Sequence, residues 1–204
     1  MFKNFITLLM VLGLSACANM TFKGMYEMAT FDLFELDPSQ LKIAIRTDKQ
    51  LHIKQGNVVI NLSFISDDET LYIDEKLLPE VRQKMPISGE LSDGIKSNEQ
   101  VTIFNLASKD AAIMRDAILQ AKEYKESGRT GVGSFGISIE DVCFNEESLI
   151  NADIDILVQK SVDDDYFMFL ENLNLKQLTK TDPSNKEAME SLFCKTSNAL
   201  NDEG

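Results

Sequence analysis

One histidine, three cysteines and four prolines are spread over 204 residues, and no apolar run approaches the roughly 20 residues needed to cross a bilayer as a helix. Each scarcity removes some chemistry. A single histidine excludes histidine-rich zinc sites by count. It also obliges any Ser-His-Asp or Cys-His nucleophile to use His52 as its base. His52 stands between Leu51 and Ile53, which reads as a partly buried sheet position rather than a reactive one. Cations are outnumbered, 20 Lys+Arg against 33 Asp+Glu, for a net charge of −13. No basic patch or aromatic-basic stripe offsets that excess, so the surface repels phosphate backbones and argues against a nucleic-acid partner. The same sign argues against the folded part lying flat on anionic lipid, and favours solubility. Helices do not alternate with strands, which argues against a parallel Rossmann-like sheet.

What is present begins at the N-terminus. Lys3 precedes an apolar run from Phe5 to Leu14, about ten residues long, and small residues lead into Cys17. This is the layout of a secretory signal. Leu14-Ser15-Ala16-Cys17 resembles, at all four positions, the lipobox of bacterial lipoprotein precursors. The resemblance covers the targeting segment only. It implies that residues 1–16 are a signal peptide, removed before Cys17, whose thiol takes a diacylglycerol and whose new amino terminus is acylated. At ~0.8 kcal/mol per buried CH₂, one acyl chain attaches reversibly, whereas two or more hold firmly. Ala18 follows where an Asp would favour inner-membrane retention, so the implied location is the outer membrane of the cell envelope. Loss of residues 1–16 takes Lys3 and no acid, leaving 19 basic against 33 acidic residues, or −14.

Cys143 and Cys194 remain after lipidation. In an exported protein such a pair reads as one disulfide. It would close a loop of about 50 residues, for ~4 kcal/mol in the chain-entropy model. The alternative is two free buried thiols acting as small hydrophobes.

Residues 17–30 form a lipidated end and short tether, with Phe22, Met25, Tyr26 and Ala29 at helical spacing. Residues 31–195 are expected to form a single globular domain, long enough to bury a core. Residues 196–204 are a polar, frayed tail. Phe31 to Leu36 reads as a strand ended by Asp37-Pro38-Ser39. Alternating apolar residues mark strands at Leu41 to Ile45, Val58 to Phe64, Leu71 to Ile73, Val101 to Ala107, Phe135 to Ile139, Ile154 to Val158 and Tyr166 to Leu170, with a bend across Glu140-Asp141. Pro79 to Gln100 reads as a long loop. A helix over residues 109–127, capped by Ser108 and stopped by Gly128, presents Ile113, Met114, Ala117, Ile118, Ala121 and Tyr124 on one side. Asp182-Pro183-Ser184 opens a short C-terminal helix. The expected architecture is α+β: an antiparallel sheet, in one layer or folded into two, packed by the long helix and the C-terminal one. An immunoglobulin-like sandwich with an inserted helix is the alternative.

Few motifs carry chemistry. Gly131-Val132-Gly133-Ser134-Phe135-Gly136 fits G-x-G-x-x-G, but it follows a helix and opens a strand, the reverse of the dinucleotide fingerprint. No cofactor is implied. Asp153 and Asp155 share one strand face, and Asp163-Asp164-Asp165 crowd a turn. Both are weak Ca²⁺ candidates without the EF-hand spacing, and read first as solvated acids. The expected function is an envelope lipoprotein that binds, scaffolds or assists assembly, meeting the membrane through Cys17 and an envelope protein partner. Capture of a small apolar ligand between sheet layers is the alternative, ahead of a hydrolase using clustered carboxylates.

Overall fold

Among the described residues the chain forms eight strands: β1 (Lys42–Asp48), β2 (Val58–Ser66), β3 (Tyr72–Leu77), β4 (Glu80–Val81), β5 (Glu99–Asn105), β6 (Gly131–Ile139), β7 (Asp153–Gln159) and β8 (Phe167–Asn174). The computed structural model describes residues 22–51, 53–82, 91–92, 94–140 and 152–174. Cys17, His52, Cys143, Cys194, the expected C-terminal helix and the 196–204 tail lie outside the described residues, as does the chain just past Glu140.

Every pairing is antiparallel. The strands form two sheets, one ordered β4-β5-β1-β7-β8 and the other β3-β2-β6. Two helices, α1 (Phe22–Ala29) and α2 (Ser108–Glu126), join them, with a 3₁₀ turn at Leu33–Glu35. The result is an α+β fold in which both sheets and α2 close on one core. Ile43, Ile45, Ile60, Leu62, Phe104, Met114, Ile154 and Ile156 meet there, each nearly inaccessible to water. Each such side chain contributes about 1.5–3 kcal/mol by burial. The far face of the five-stranded sheet has its own small cluster of Ala44, Leu91, Ile103 and Leu157. That explains why β7 is buried on both faces.

Local expectations fared unevenly. Residues 22–29 are helical as their spacing requires, and α1 packs against β8, with Lys160 paired to Glu27 at 2.8 Å. Phe31 to Leu36 is not a strand. The Asp32 carboxylate accepts the Phe34 N–H at 2.9 Å, and this local bond bends the segment into the 3₁₀ turn. Leu51 and Ile53 are buried but outside any strand. Ser108 is the first helical residue rather than the cap: Ala107 holds the cap position, without a side-chain hydrogen bond. Gly128, at φ +81°, ends α2 in the left-handed conformation that glycine tolerates best. The Pro79–Gln100 stretch is not wholly loop: β4 pairs with β5, and Leu91 is buried.

Candidate functional site

One concavity lies between α2 and the core face of the three-stranded sheet. It encloses about 350 Å³, within reach of the lower bound for small-molecule sites. Leu62, Phe64 and Phe135 form its floor, Ala117 and Ala121 its helical wall, and Phe31 to Phe34 its third side. Small residues make the room. Ala117 and Ala121 fall one turn apart on the buried stripe of α2, where larger side chains would meet the sheet.

Phe31, Phe34, Phe64 and Phe135 supply aromatic lining. Phe31 and Phe135 stand 5.5 Å apart in a tilted pair, and Phe64 meets Tyr124 edge-on at 5.8 Å. One cation marks the mouth: Lys125 Nζ sits 5.3 Å from the Phe34 ring centre.

The third wall is tethered by exposed charges. Arg115 reaches Asp37 at 2.8 Å, and Lys122 reaches Glu35 at 3.4 Å. The Ser39 hydroxyl first, then Arg115, hold the Asp37 carboxyl well below its ordinary range. Exposed pairs of this kind contribute little, about 0–1 kcal/mol each, so the wall is lightly held. The far end of α2 is fixed more firmly. Tyr124, buried, donates its hydroxyl to Asp68 in the β2–β3 turn, and the Arg129 guanidinium stacks 3.9 Å from the Tyr124 ring. That bond, with those from Thr70, depresses the Asp68 carboxyl.

The acids named from sequence go elsewhere. Asp155 lies beside a second, polar cavity of about 530 Å³, lined by Lys23, Arg46, Lys96, Glu99 and Asn172. Both of its oxygens are engaged: Oδ2 accepts Arg46 Nε at 2.8 Å and its terminal nitrogen at 2.7 Å, while Oδ1 accepts the Asn172 N–H at 2.6 Å. Burial would raise the neighbouring Glu99 carboxyl, but the Lys96 N–H and ammonium outweigh it and hold it below its usual range. Asp153 precedes Asp155 by two on the same strand face. Asp163, Asp164 and Asp165 are all exposed in the β7–β8 turn, where the Asp164 carbonyl accepts Gln159 Nε2 at 2.6 Å. Among the described residues no three acids, cysteines or histidines converge as a metal site. Gly131 to Gly136 lie inside β6, paired with β2, and form no phosphate-binding turn.

Sequence reasoning found the α2 stripe but not the cleft. In sequence Phe31, Leu33 and Phe34 read as a strand, and only the pairing of β2 with β6 brings Phe135 beside Leu62. The spacing of Ala117 and Ala121 on an otherwise bulky stripe was the available signal. Among the described residues no helix is long and apolar enough to cross a membrane. No family model matches the chain, and no curated protein or solved structure is similar to it.

Proposed function

We propose that this chain is a lipoprotein anchored in the outer membrane through Cys17, and that it acts by binding a small apolar ligand in the cleft between α2 and the β3-β2-β6 sheet. The cleft carries the reading: about 350 Å³ walled by Phe31, Phe34, Phe64 and Phe135 with the Lys125 ammonium at its mouth. Such a site suits an apolar body with a polar or anionic end facing Lys125. The lightly tethered Phe31–Asp37 wall supplies an entry route. No covalent step is required of any residue lining it. The anchor itself rests on the lipobox resemblance of Leu14 to Cys17.

Photo-crosslinking in intact membranes tests the binding. Benzoylphenylalanine at Leu33, on the cleft wall, should yield a discrete small-mass adduct on the full chain. The same residue at Leu119, exposed on the other side of α2, should not. Equal labelling at both positions, or none at either, removes the proposal.

A second reading, contact with an envelope protein, has one observation in its favour. Tyr72, Ile65 and Val132 are cross-strand neighbours on the outer face of the three-stranded sheet, and are 67%, 51% and 73% exposed. Apolar side chains clustered in a row, rather than scattered singly, are a feature of contact surfaces. Membrane cross-linking from Tyr72 that returned the same protein repeatedly supports this reading; uniform absence of a cross-linked band counts against it.

A further inference from the structure

The two sheets have four edges, and three of them are guarded. β4 is two residues long. β8 has α1 packed against it. β3 carries Asp74, Glu75 and Lys76 within six residues. β6 differs: Gly131-Val132-Gly133-Ser134-Phe135-Gly136-Ile137-Ser138-Ile139 has neither charge nor proline over nine residues, and among the described residues no strand pairs with its outer side. Natural edge strands are normally kept from pairing by charge, proline, shortness or cover.

The hydrogen bonds fix which groups this edge offers. At one end of the β2–β6 ladder the Asp67 N–H donates to the Thr130 carbonyl at 3.0 Å, and at the other the Glu140 N–H donates to the Asn57 carbonyl at 2.7 Å. In an antiparallel ladder the bonded positions alternate. Even-numbered residues of β6 therefore bond to β2, and Gly131, Gly133, Phe135, Ile137 and Ile139 direct their N–H and C=O groups outward. Gly131, Gly133 and Gly136 are absent from the positive-φ glycines, so the strand stays extended.

Charges bracket the strand asymmetrically. Arg129, stacked on the Tyr124 ring, lies two residues before it, and Glu140, in a solvent-exposed pair with Lys76 at 2.6 Å that can be exchanged for another at little cost, follows immediately after it. A strand with a cation at its start and an anion at its end is complementary to itself when antiparallel, because each end meets the opposite charge of the other copy.

We infer that β6 is a self-association edge: two copies of this chain pair β6 to β6 antiparallel about a two-fold axis near Ser134–Phe135, making one continuous six-stranded sheet. The pairing is isologous, so it closes at two copies. Backbone bonds from the odd-numbered residues hold it. Arg129 and Glu140 of opposite copies, brought within about a residue of each other, select the register rather than supply the affinity. Membrane anchoring favours the encounter by confining both copies to one plane.

The test uses two differently tagged full-length copies expressed together, with capture of one tag and detection of the other. Parent copies should co-purify. Gly133→Pro removes an outward N–H from each copy while leaving the β2 ladder intact, and should reduce co-purification about tenfold or more. Val132→Lys restores a guarding charge and should act in the same direction if the proline variant is poorly folded. Arg129→Glu should weaken capture, and mixing an Arg129→Glu copy with a Glu140→Arg copy should restore it, because both inter-copy pairs are then opposite in sign again. Parent copies that do not co-purify, or co-purification that survives both edge variants, overturns self-pairing. A third protein lost on Gly133→Pro while the copies never capture each other also overturns it.

Discussion

Replacing Asp155 by Ala should destabilise the fold by about 3 kcal/mol, although no ligand site is touched. Two consequences follow from the contacts of this side chain. The Arg46 guanidinium loses the oxygen that accepts two of its nitrogens while its side chain is only 11% exposed, and the Asn172 N–H loses its acceptor. Asn172 adopts φ +53°, opposite the register shift between Ile154 and Ile156, so Asp155 pins a bulge as well as a charge. Breaking a buried pair by removing one partner costs about 3–5 kcal/mol. The adjoining polar cavity admits water to Arg46, so the cost falls at the lower end of that range. With a urea m-value of about 2 kcal/mol/M, the midpoint should fall by about 1.5 M. The double replacement Arg46→Met with Asp155→Leu should recover the part of that loss due to the stranded Arg46 charge, because a buried pair gains little over apolar residues of similar volume, but not the part due to the Asn172 N–H, which still lacks its acceptor. Urea unfolding followed by circular dichroism gives both values. A shift below about 0.3 M for Asp155→Ala, or a double variant worse than the single one, would refute the assignment of a structural role.

Three further outcomes are expected. Thr47 is buried with no hydrogen-bond partner for its hydroxyl among the described residues, so Thr47→Val should stabilise by about 1 kcal/mol, read as a raised urea midpoint. Asp37 and Asp68 are both depressed in the folded state, by Ser39 and Arg115 and by Tyr124 and Thr70. Their contribution is therefore complete above the unfolded aspartate value of about 3.9 and is lost as pH falls through the lower folded values, so thermal stability should hold from pH 7 to about 5 and decline below about 4. Ala121→Phe should fill the cleft, abolish the Leu33 adduct and lower the melting temperature by only a few degrees, because part of the added ring occupies existing space.

Much of the fold was legible because its elements obey simple periods. The alternation of Ile43 and Ile45, of Val58 to Phe64, and of Ile154 to Val158 reports sheets buried on one or both faces, and the α2 stripe reports a helix over a core. Boundaries were set by local hydrogen bonds that periodicity does not contain, as where Asp32 turns Phe31 to Leu36 away from extension. Asp155 shows the harder limit. On sequence it is one acid among many, sharing a strand face with Asp153, and only the neighbouring β1 strand reveals that Arg46 claims it. The cleft was hidden for the same reason: Phe31, Phe64, Ala121 and Phe135 lie on four different elements, and no spacing along the chain says that they meet. The lipidation proposed for Cys17, by contrast, rests entirely on its neighbours in sequence, Leu14-Ser15-Ala16.

Native mass spectrometry of the full chain released from its own membranes tests the central claim most directly. The account predicts two additions: a covalent acyl mass that persists after denaturation and maps to Cys17, and a non-covalent small apolar ligand that is lost on denaturation and absent from Ala121→Phe. An unmodified, ligand-free mass from both forms would contradict it.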